Sequence, residues 1–308
     1  MKADWVAASV RARSMAQRRV GAATSREVAA QPSLDRALSL LQGSSYAERL
    51  SGAPGLAVAE RALQETVLWQ LRVLAGWLPA SGTALARAAA GIFEIENVIA
   101  LAHQLAGGAK APEPYDLGAL ATGWPRLRTA GSSEELAAIL RATAWGSAGD
   151  AGPGMLRDAL TVAWLRRLAA VAPPARPWCG AVCALTAARI LTVDRVTPSA
   201  PVLHLLRPVI GRSWEAATSI GEFSSALPPS LRTVILDISS PKELWRAEAR
   251  VCAAVEKDGF HLLRGSMPGP DVVLGAIAVL STDAWRVRAA LTAAAAAAGS
   301  SEVLDEAA

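Results

Sequence analysis

The chain has 308 residues, of which 52% are hydrophobic and 19% charged, with a formal net charge of +4 and a pI of about 9.3. A chain of this length can bury more than one core, which excludes a single small domain. Alanine and leucine supply most of the apolar content, whereas the chain has only three Phe and two Tyr. Because Ala and Leu favour helices, and aromatic and β-branched residues favour strands, we predict an all-α fold.

No uncharged apolar run reaches the roughly 20 residues that a transmembrane helix requires. The N-terminus also lacks the continuous apolar segment of a secretion signal. An Arg- and Ser-rich start leaves an organellar transit peptide as an alternative to a first structured helix. The cysteines are too few for a disulfide scaffold, which favours a reducing compartment, and we interpret them as buried small side chains rather than metal ligands: Cys179, Cys183 and Cys252.

The first predicted helix runs from Asp4 to Arg19, with one apolar stripe formed by Trp5, Ala8, Ala12 and Met15. Ser33 is the predicted N-cap of a helix that stops near Gly43. Two longer helices are predicted next, over Leu56 to Ala75 and Thr83 to Leu105. Two prolines within residues 109–114 mark the first predicted domain boundary.

The pattern of the first hundred residues then recurs. Six positions between Ser132 and Trp145 match positions between Ser33 and Tyr46 at a constant offset of 99 residues. The segment Thr161 to Trp164 matches Thr66 to Trp69 at an offset of 95, and a weaker third copy begins at Ser219. Repeats of this size indicate duplicated helical domains. We therefore predict three similar domains, over residues 1–110, 111–205 and 206–308.

The third segment carries the clearest helix start. Ser240 to Glu243 combines a cap residue, a proline at the first helical position and a carboxylate in capping-box order, and the helix is predicted to end at Gly259. Ser281 to Asp283 is predicted to cap a last helix that runs to Gly299. Taken alone, the β-branched and apolar segment Thr233 to Ile238 predicts a strand.

Patterns typical of catalysis are missing from the sequence. It has no phosphate-binding P-loop and no D-D-x-x-D cluster, and its histidines, at positions 103, 204 and 261, have no metal-ligand spacing. Glu94 and Glu96 point to different faces of a helix and make a poor acid–base pair. We therefore predict no catalytic, cofactor-binding or metal-binding residue, and an interaction protein rather than an enzyme. The ten tryptophans are expected to be mainly core anchors, with one or two at a protein interface.

Several segments resemble, in order, the C (eukaryotic d, AC39-type) subunit of V/A-type ATPases. Members of that family open with an aromatic-x-x-A-x-V-R-A helix, similar to Trp5 through Ala12. A Ser-Leu-Asp-x-Ala-Leu element with a Ser/Thr-x-Tyr ending is similar to Ser33 through Tyr46. An aromatic–acid–aliphatic–x–Asn stretch is similar to Phe93 through Val98. Near the C-terminus, the family's order of an acid, a glycine break and a proline is similar to Glu248, Gly259, Gly265 and Pro268.

The resemblance covers nearly the whole chain, and threefold internal duplication is also a trait of the family. Two stretches depart from it. Val251 to Ala253 stands where the family has Asn-Leu-Arg, and Thr186 to Leu191 lacks the family's acid and asparagine.

The resemblance implies three similar helical domains in a pseudo-threefold funnel. Such a subunit is a non-catalytic part of the central stalk that joins the rotating shaft, made of D- and F-type subunits, to the membrane c-ring. It would lie at the cytoplasmic face of the membrane without a transmembrane helix, bind no nucleic acid, and transmit torque for proton or sodium transport. Two alternatives stay open: a helical DNA-binding regulator, suggested by the basic pI, and a helical enzyme with a dispersed site.

Overall fold

A computed structural model describes residues 3–146 and 153–308, and all regular secondary structure within these ranges is helical. The predicted all-α class is thereby confirmed. The helices of the first half are α1 (Val6–Gln17), α2 (Gly21–Ala29), α3 (Leu34–Leu40), α4 (Ala47–Leu50), α5 (Leu56–Trp77), α6 (Thr83–Leu105), α7 (Trp124–Leu127) and α8 (Ser133–Arg141). Those of the second half are α9 (Pro153–Val171), α10 (Arg176–Ala188), α11 (Ala200–Ile210), α12 (Ile220–Ala226), α13 (Pro229–Arg232), α14 (Leu244–Leu263), α15 (Pro270–Ala295) and α16 (Glu302–Glu306).

The chain divides into two compact units. Unit 1 combines the residues up to Thr83 with Ala249–Ala308, and unit 2 is the continuous segment Ala84–Glu248. The domain boundaries predicted from the repeat, at 110/111 and 205/206, both lie within unit 2. The division into three similar domains stays a prediction.

Unit 1 is organised around α15, which packs against α1, α2, α3 and α5. Every residue from Val272 to Leu280 is buried. A helix that is apolar on all sides needs neighbours on all sides, which explains its central place. The predicted stripe on α1 is buried as expected, with Ala8 and Ala12 fully inaccessible.

Two glycines set the distance between α14 and α15. A Cβ added at Gly275 would lie 2.6 Å from the carbonyl oxygen of Gly259, and one added at Gly259 would lie 3.1 Å from the carbonyl oxygen of Gly275. The prediction that the helix ends at Gly259 is therefore wrong, since α14 continues to Leu263. The glycine is required there for close helix packing.

In unit 2, the helices α9, α10 and α11 pack on one another. Gly91 on α6 faces the indole of Trp164 on α9, which also donates a 2.7 Å hydrogen bond from its Nε1 to the carbonyl oxygen of Ala88. Helix α10 continues into a π-helical turn, Arg189–Val193. Arg189 at this turn pairs with two carboxylates, those of Asp158 and Asp194.

Most predicted helices of the first half are confirmed, including α5 and the bounds of α6. The sequence failed to indicate α2, because the backbone N–H groups at its start are satisfied by a distant side chain, that of Asp283, and not by a local cap. The predicted cap at Ser281 to Asp283 is wrong, because α15 runs through these residues. The predicted strand is also wrong: Thr233–Ile235 forms a 3-10 turn.

Candidate functional site

Asp283 on α15 is a fully buried carboxyl group in unit 1. Its Oδ1 accepts a 2.7 Å hydrogen bond from the backbone N–H of Gly21, and its Oδ2 accepts bonds of 3.0 Å from the N–H of Val20 and 2.9 Å from the hydroxyl of Tyr46. We call these four residues the Asp283 cluster. The carboxylate holds the start of α2, where Gly21 adopts a positive φ of 82°.

Burial dominates the electrostatics of the Asp283 cluster. It raises the pKa of Asp283 above its usual value, although the hydrogen bonds from Gly21, Val20 and Tyr46 act in the opposite direction. Burial, together with the negative charge of Asp283, raises the pKa of Tyr46 well above 10.0. Tyr46 is therefore a fixed hydrogen-bond donor at neutral pH.

Glu94 on α6 forms the corresponding cluster in unit 2 and is also fully buried. Its Oε2 accepts a 2.6 Å bond from the N–H of Thr122. Its Oε1 accepts bonds of 2.6 Å from the N–H of Gly123, 3.1 Å from the N–H of Trp124 and 2.7 Å from the indole Nε1 of Trp145. These five residues are the Glu94 cluster, which fixes the start of α7.

Arg167 closes the Glu94 cluster on one side. Its Nη2 donates a 3.1 Å bond to Thr122 Oγ1, and its guanidinium carbon lies 4.7 Å from the ring centroid of Trp145. Desolvation lowers the pKa of Arg167, and the negative charge of Glu94 opposes this effect. The cation–π contact and the nearby carboxylate offset part of the cost of burying the arginine, and desolvation remains the larger effect on its pKa.

The residues that the repeat pairs at an offset of 99 make the same contacts in both units. Ser44 Oγ donates to the carbonyl oxygen of Leu41 and accepts from the N–H of Tyr46. Thr143 Oγ1 donates to the carbonyl oxygen of Leu140 and accepts from the N–H of Trp145. Each of these turns ends on the aromatic residue that donates to the buried carboxylate. The two units therefore share a local plan: a capped helix, a hydroxyl turn and an aromatic donor.

Ser33 is a helix cap as predicted, and Ser132 and Ser219, which start the second and third copies of the repeat, are caps as well. Ser33, Ser132 and Ser219 each accept a hydrogen bond from the backbone N–H three residues later, at 3.4, 3.2 and 3.2 Å. The segment that precedes the third cap differs from α6, because Arg176–Val193 contains neither Asp nor Glu and so has no counterpart of Glu94. Near it, the indole of Trp214 donates to a backbone carbonyl instead of a carboxylate.

Both clusters hold backbone segments in place. Each carboxylate is fully buried and accepts hydrogen bonds from at least two backbone N–H groups and from one aromatic side chain. Glu94 and Glu96 do face different ways, as predicted: Glu94 binds the backbone of residues 122–124, whereas Glu96 pairs with Arg157. The role of Asp283 was missed, because its partners lie more than 200 residues away.

Two of the three cysteines lie buried on α10. Burial raises the pKa of Cys179 and of Cys183 to about 12, which keeps both thiols protonated and unreactive. Within residues 3–146 and 153–308, no three His, Cys, Asp or Glu side chains lie close enough together to hold a metal ion. Over the same ranges, no helix combines the length and the apolar character needed to cross a bilayer.

Two tryptophans are exposed. Trp69 and Trp77, both on α5, have exposed fractions of 48% and 51%. The other eight tryptophans are buried or half-buried; Trp214 and Trp145 are among the buried ones. The structure thus identifies which tryptophans are free to contact another molecule, a choice that the sequence did not allow.

Trp69 also lines an open cleft in unit 1 with a volume of about 540 Å³. We call it the arginine cleft, since three arginines from two different parts of the chain surround it. Its walls come from α1, from the turn before α4 with α4 itself, and from α5. The lining residues are Arg11, Met15 and Arg18, then Gly43, Ser44, Ser45, Glu48 and Arg49, then Thr66, Trp69 and Gln70.

No model of a known protein family matches the chain, and a search of curated proteins finds no significant match. The function is therefore inferred from the residues and their geometry alone.

Proposed function

We propose that the chain is the central-stalk coupling subunit of a V/A-type rotary ATPase, of the C or d family. It would link the rotating shaft of D- and F-type subunits to the membrane c-ring. One observation carries the proposal. The same plan of serine cap, hydroxyl turn and buried carboxylate occurs in both units, and a third serine cap follows at Ser219. This internal duplication matches the threefold duplication of the family that the sequence resembles.

Two residues of one stretch that carries the resemblance, Glu94 and Asn97, make contacts with segments outside their own helix. In the stretch similar to the family's aromatic–acid–aliphatic–x–Asn motif, Glu94 holds residues 122–124. Asn97 binds the backbone of Tyr115 in both directions, donating to its carbonyl oxygen at 2.9 Å and accepting from its N–H at 2.7 Å. The spacing of this motif has a physical basis, because the acid and the asparagine each bind a different part of the following loop. This agreement between motif and contacts supports the family assignment.

A coupling subunit needs stiffness and not chemistry. Close-packed interiors have low compressibility and transmit strain, and satisfied buried hydrogen-bond networks fix neighbouring segments in one arrangement. The two carboxylate clusters serve this purpose by tying loops to the long helices α6 and α15. In the proposed complex three similar domains form a funnel around the shaft, at the cytoplasmic face of the membrane. Torque then passes to the ring for proton or sodium transport.

The proposal is tested by purifying the tagged chain from the membranes of its own host in mild detergent and identifying the chains that accompany it. We expect shaft and c-ring subunits in stoichiometric amounts. Recovery of the chain alone overturns the proposal, and recovery with nucleic acid favours the DNA-binding alternative instead.

The exposed tryptophans sharpen this experiment. If Trp77 contacts a partner, Trp77→Ala lowers the yield of co-purified subunits without unfolding the chain, whereas the exposed-arginine variant Arg36→Gln leaves the yield unchanged. A W77A chain that recovers its partners in full excludes Trp77 from the contact and leaves the complex itself established.

A further inference from the structure

We propose that the arginine cleft of unit 1 binds a nucleoside phosphate, a small molecule with a phosphate group and a planar base. The residues that carry this proposal, Arg11, Ser45, Trp69 and Gln70, are not ones on which the proposed coupling function rests. The two proposals can therefore fail independently.

The charge of the cleft favours an anion. Its lining includes the guanidinium groups of Arg11, Arg18 and Arg49 against a single carboxylate, that of Glu48. Arg49 also contacts Glu65 at 3.4 Å, but both side chains are about one-third or more exposed, so this pair is weak. Arginine is the side chain best suited to phosphate, because its planar donors match the phosphate oxygens.

Three polar atoms of the lining are buried, and none has a hydrogen-bond partner among the described residues: Arg11 Nε, Ser45 Oγ and Gln70 Oε1. Gln70 is only 3% exposed, so bulk water does not satisfy its amide oxygen. Buried polar groups normally have partners, and unsatisfied ones cost free energy. Arg11, Ser45 and Gln70 belong to α1, to the turn before α4 and to α5, and all three residues line the same cleft.

The three atoms define what a ligand must offer. Arg11 Nε is a donor and needs an acceptor, which a phosphate oxygen supplies. Gln70 Oε1 is an acceptor and needs a donor, which an inorganic phosphate dianion lacks and which a ribose hydroxyl or an exocyclic amine supplies. Ser45 Oγ can do either. A ligand that combines an anionic group with a neutral donor fits this set better than a simple anion.

The remaining wall supplies an aromatic surface. Trp69 lines the cleft and keeps 48% of its surface exposed, so its indole has area left for a planar group. Stacking of a base on an aromatic side chain stabilises a complex without requiring a particular base. The cleft volume of about 540 Å³ lies within the range of small-molecule sites. A nucleoside phosphate is the class of ligand that combines the three required features: an anionic group, a neutral hydrogen-bond donor and a planar base.

Isothermal titration calorimetry of the full chain with ADP, adenosine and inorganic phosphate tests the proposal. We expect ADP to bind with a dissociation constant below about 1 mM, and adenosine and phosphate each to bind at least about tenfold more weakly. Arg11→Gln should weaken ADP binding by roughly tenfold or more, because a charge-assisted hydrogen bond is lost. Arg36→Gln, which removes an exposed arginine outside the cleft, should leave binding unchanged.

A second variant guards against misfolding of the first. Trp69→Ala changes an exposed side chain, and it should weaken ADP binding while leaving the weak binding of phosphate unaltered. No ADP binding up to about 10 mM, or equal ADP affinity of R11Q and the parent chain, overturns the proposal. Phosphate binding as tight as that of ADP overturns the assignment to a nucleoside phosphate.

Discussion

Units 1 and 2 build similar carboxylate clusters from very different stretches of chain. In unit 2, Glu94 contacts donors 28 to 51 residues away in the sequence. In unit 1, Asp283 contacts donors 237 to 263 residues away. By loop-closure entropy alone, the longer connection costs about 2 kcal/mol more to close. The same kind of carboxylate cluster can therefore form whether its donors are near or far along the chain. The sequence separation changes only the entropy that is lost when the donors and the carboxylate come together.

The clusters also differ in the number of donors, which is four at Glu94 and three at Asp283. We expect Glu94→Ala to lower the free energy of unfolding by about 4 kcal/mol, because four buried donors lose their acceptor. Urea unfolding followed by circular dichroism measures the loss, and hydrogen exchange of the amides of residues 122–124 localises it. Glu96→Ala on the same helix removes a partly exposed ion pair and should cost about 1 kcal/mol or less. Equal losses for the two variants would contradict the structural role of Glu94.

Asp283→Ala should cost about 3 kcal/mol, since it leaves three donors without an acceptor. Hydrogen exchange should speed up at Val20 and Gly21 and stay unchanged at residues 122–124. Asp271→Ala, which removes an exposed carboxylate from the same helix, is the control. If protection falls equally in both units, the two clusters are not independent and the comparison between them fails.

Removing a single donor probes the Asp283 cluster more finely. Tyr46→Phe keeps the ring and should cost about 2 kcal/mol, the contribution of one hydrogen bond to a charged group. Because the pKa of Tyr46 is raised in the folded chain, the native state keeps its proton after the unfolded state has lost it, so stability falls as the pH rises above 10.0. The Y46F chain should lose this decline, as measured by urea midpoints between about pH 9 and 11. A parallel decline in both chains would assign it to another group.

The smallest expected effects concern the serine caps. Ser33→Ala, Ser132→Ala and Ser219→Ala should each cost about 1 kcal/mol, since each removes one cap hydrogen bond. Thermal unfolding of the three variants measures them on one scale. A cost at Ser219 well below the others would indicate that the third copy no longer depends on its cap.

The sequence predicted best what is local. Helix periodicity identified α5 and α6, and the predicted serine caps form at Ser33 and Ser240. The failures share one cause. Helix α2 is capped from far along the chain by Asp283, and Gly259 looked like a helix end although it makes room for Gly275. Both features depend on contacts between segments that are distant in the sequence, and the periodicity of a single helix contains no information about such contacts.

The candidate sites divide in the same way. The sequence singles out Glu94 as the acid of the stretch Phe93 through Val98, but its four donors come from a loop and a turn that only the fold brings to it. The arginine cleft had no signal in the sequence, because its walls are contributed by three segments with no shared spacing. Exposure of Trp69 and Trp77 likewise depends on which face of α5 the neighbouring helices cover.

The split connectivity of unit 1 has a consequence for synthesis on the ribosome. Its first segment, up to Thr83, is complete before the second segment begins at Ala249. At typical elongation rates of 5–20 residues per second, the delay is on the order of ten seconds or more. During this time α1, α2 and α5 have no α15 to pack against, and their apolar faces are open to chaperones. Unit 2, a continuous segment, can begin to fold as it emerges, so it becomes compact before the unit that starts the chain.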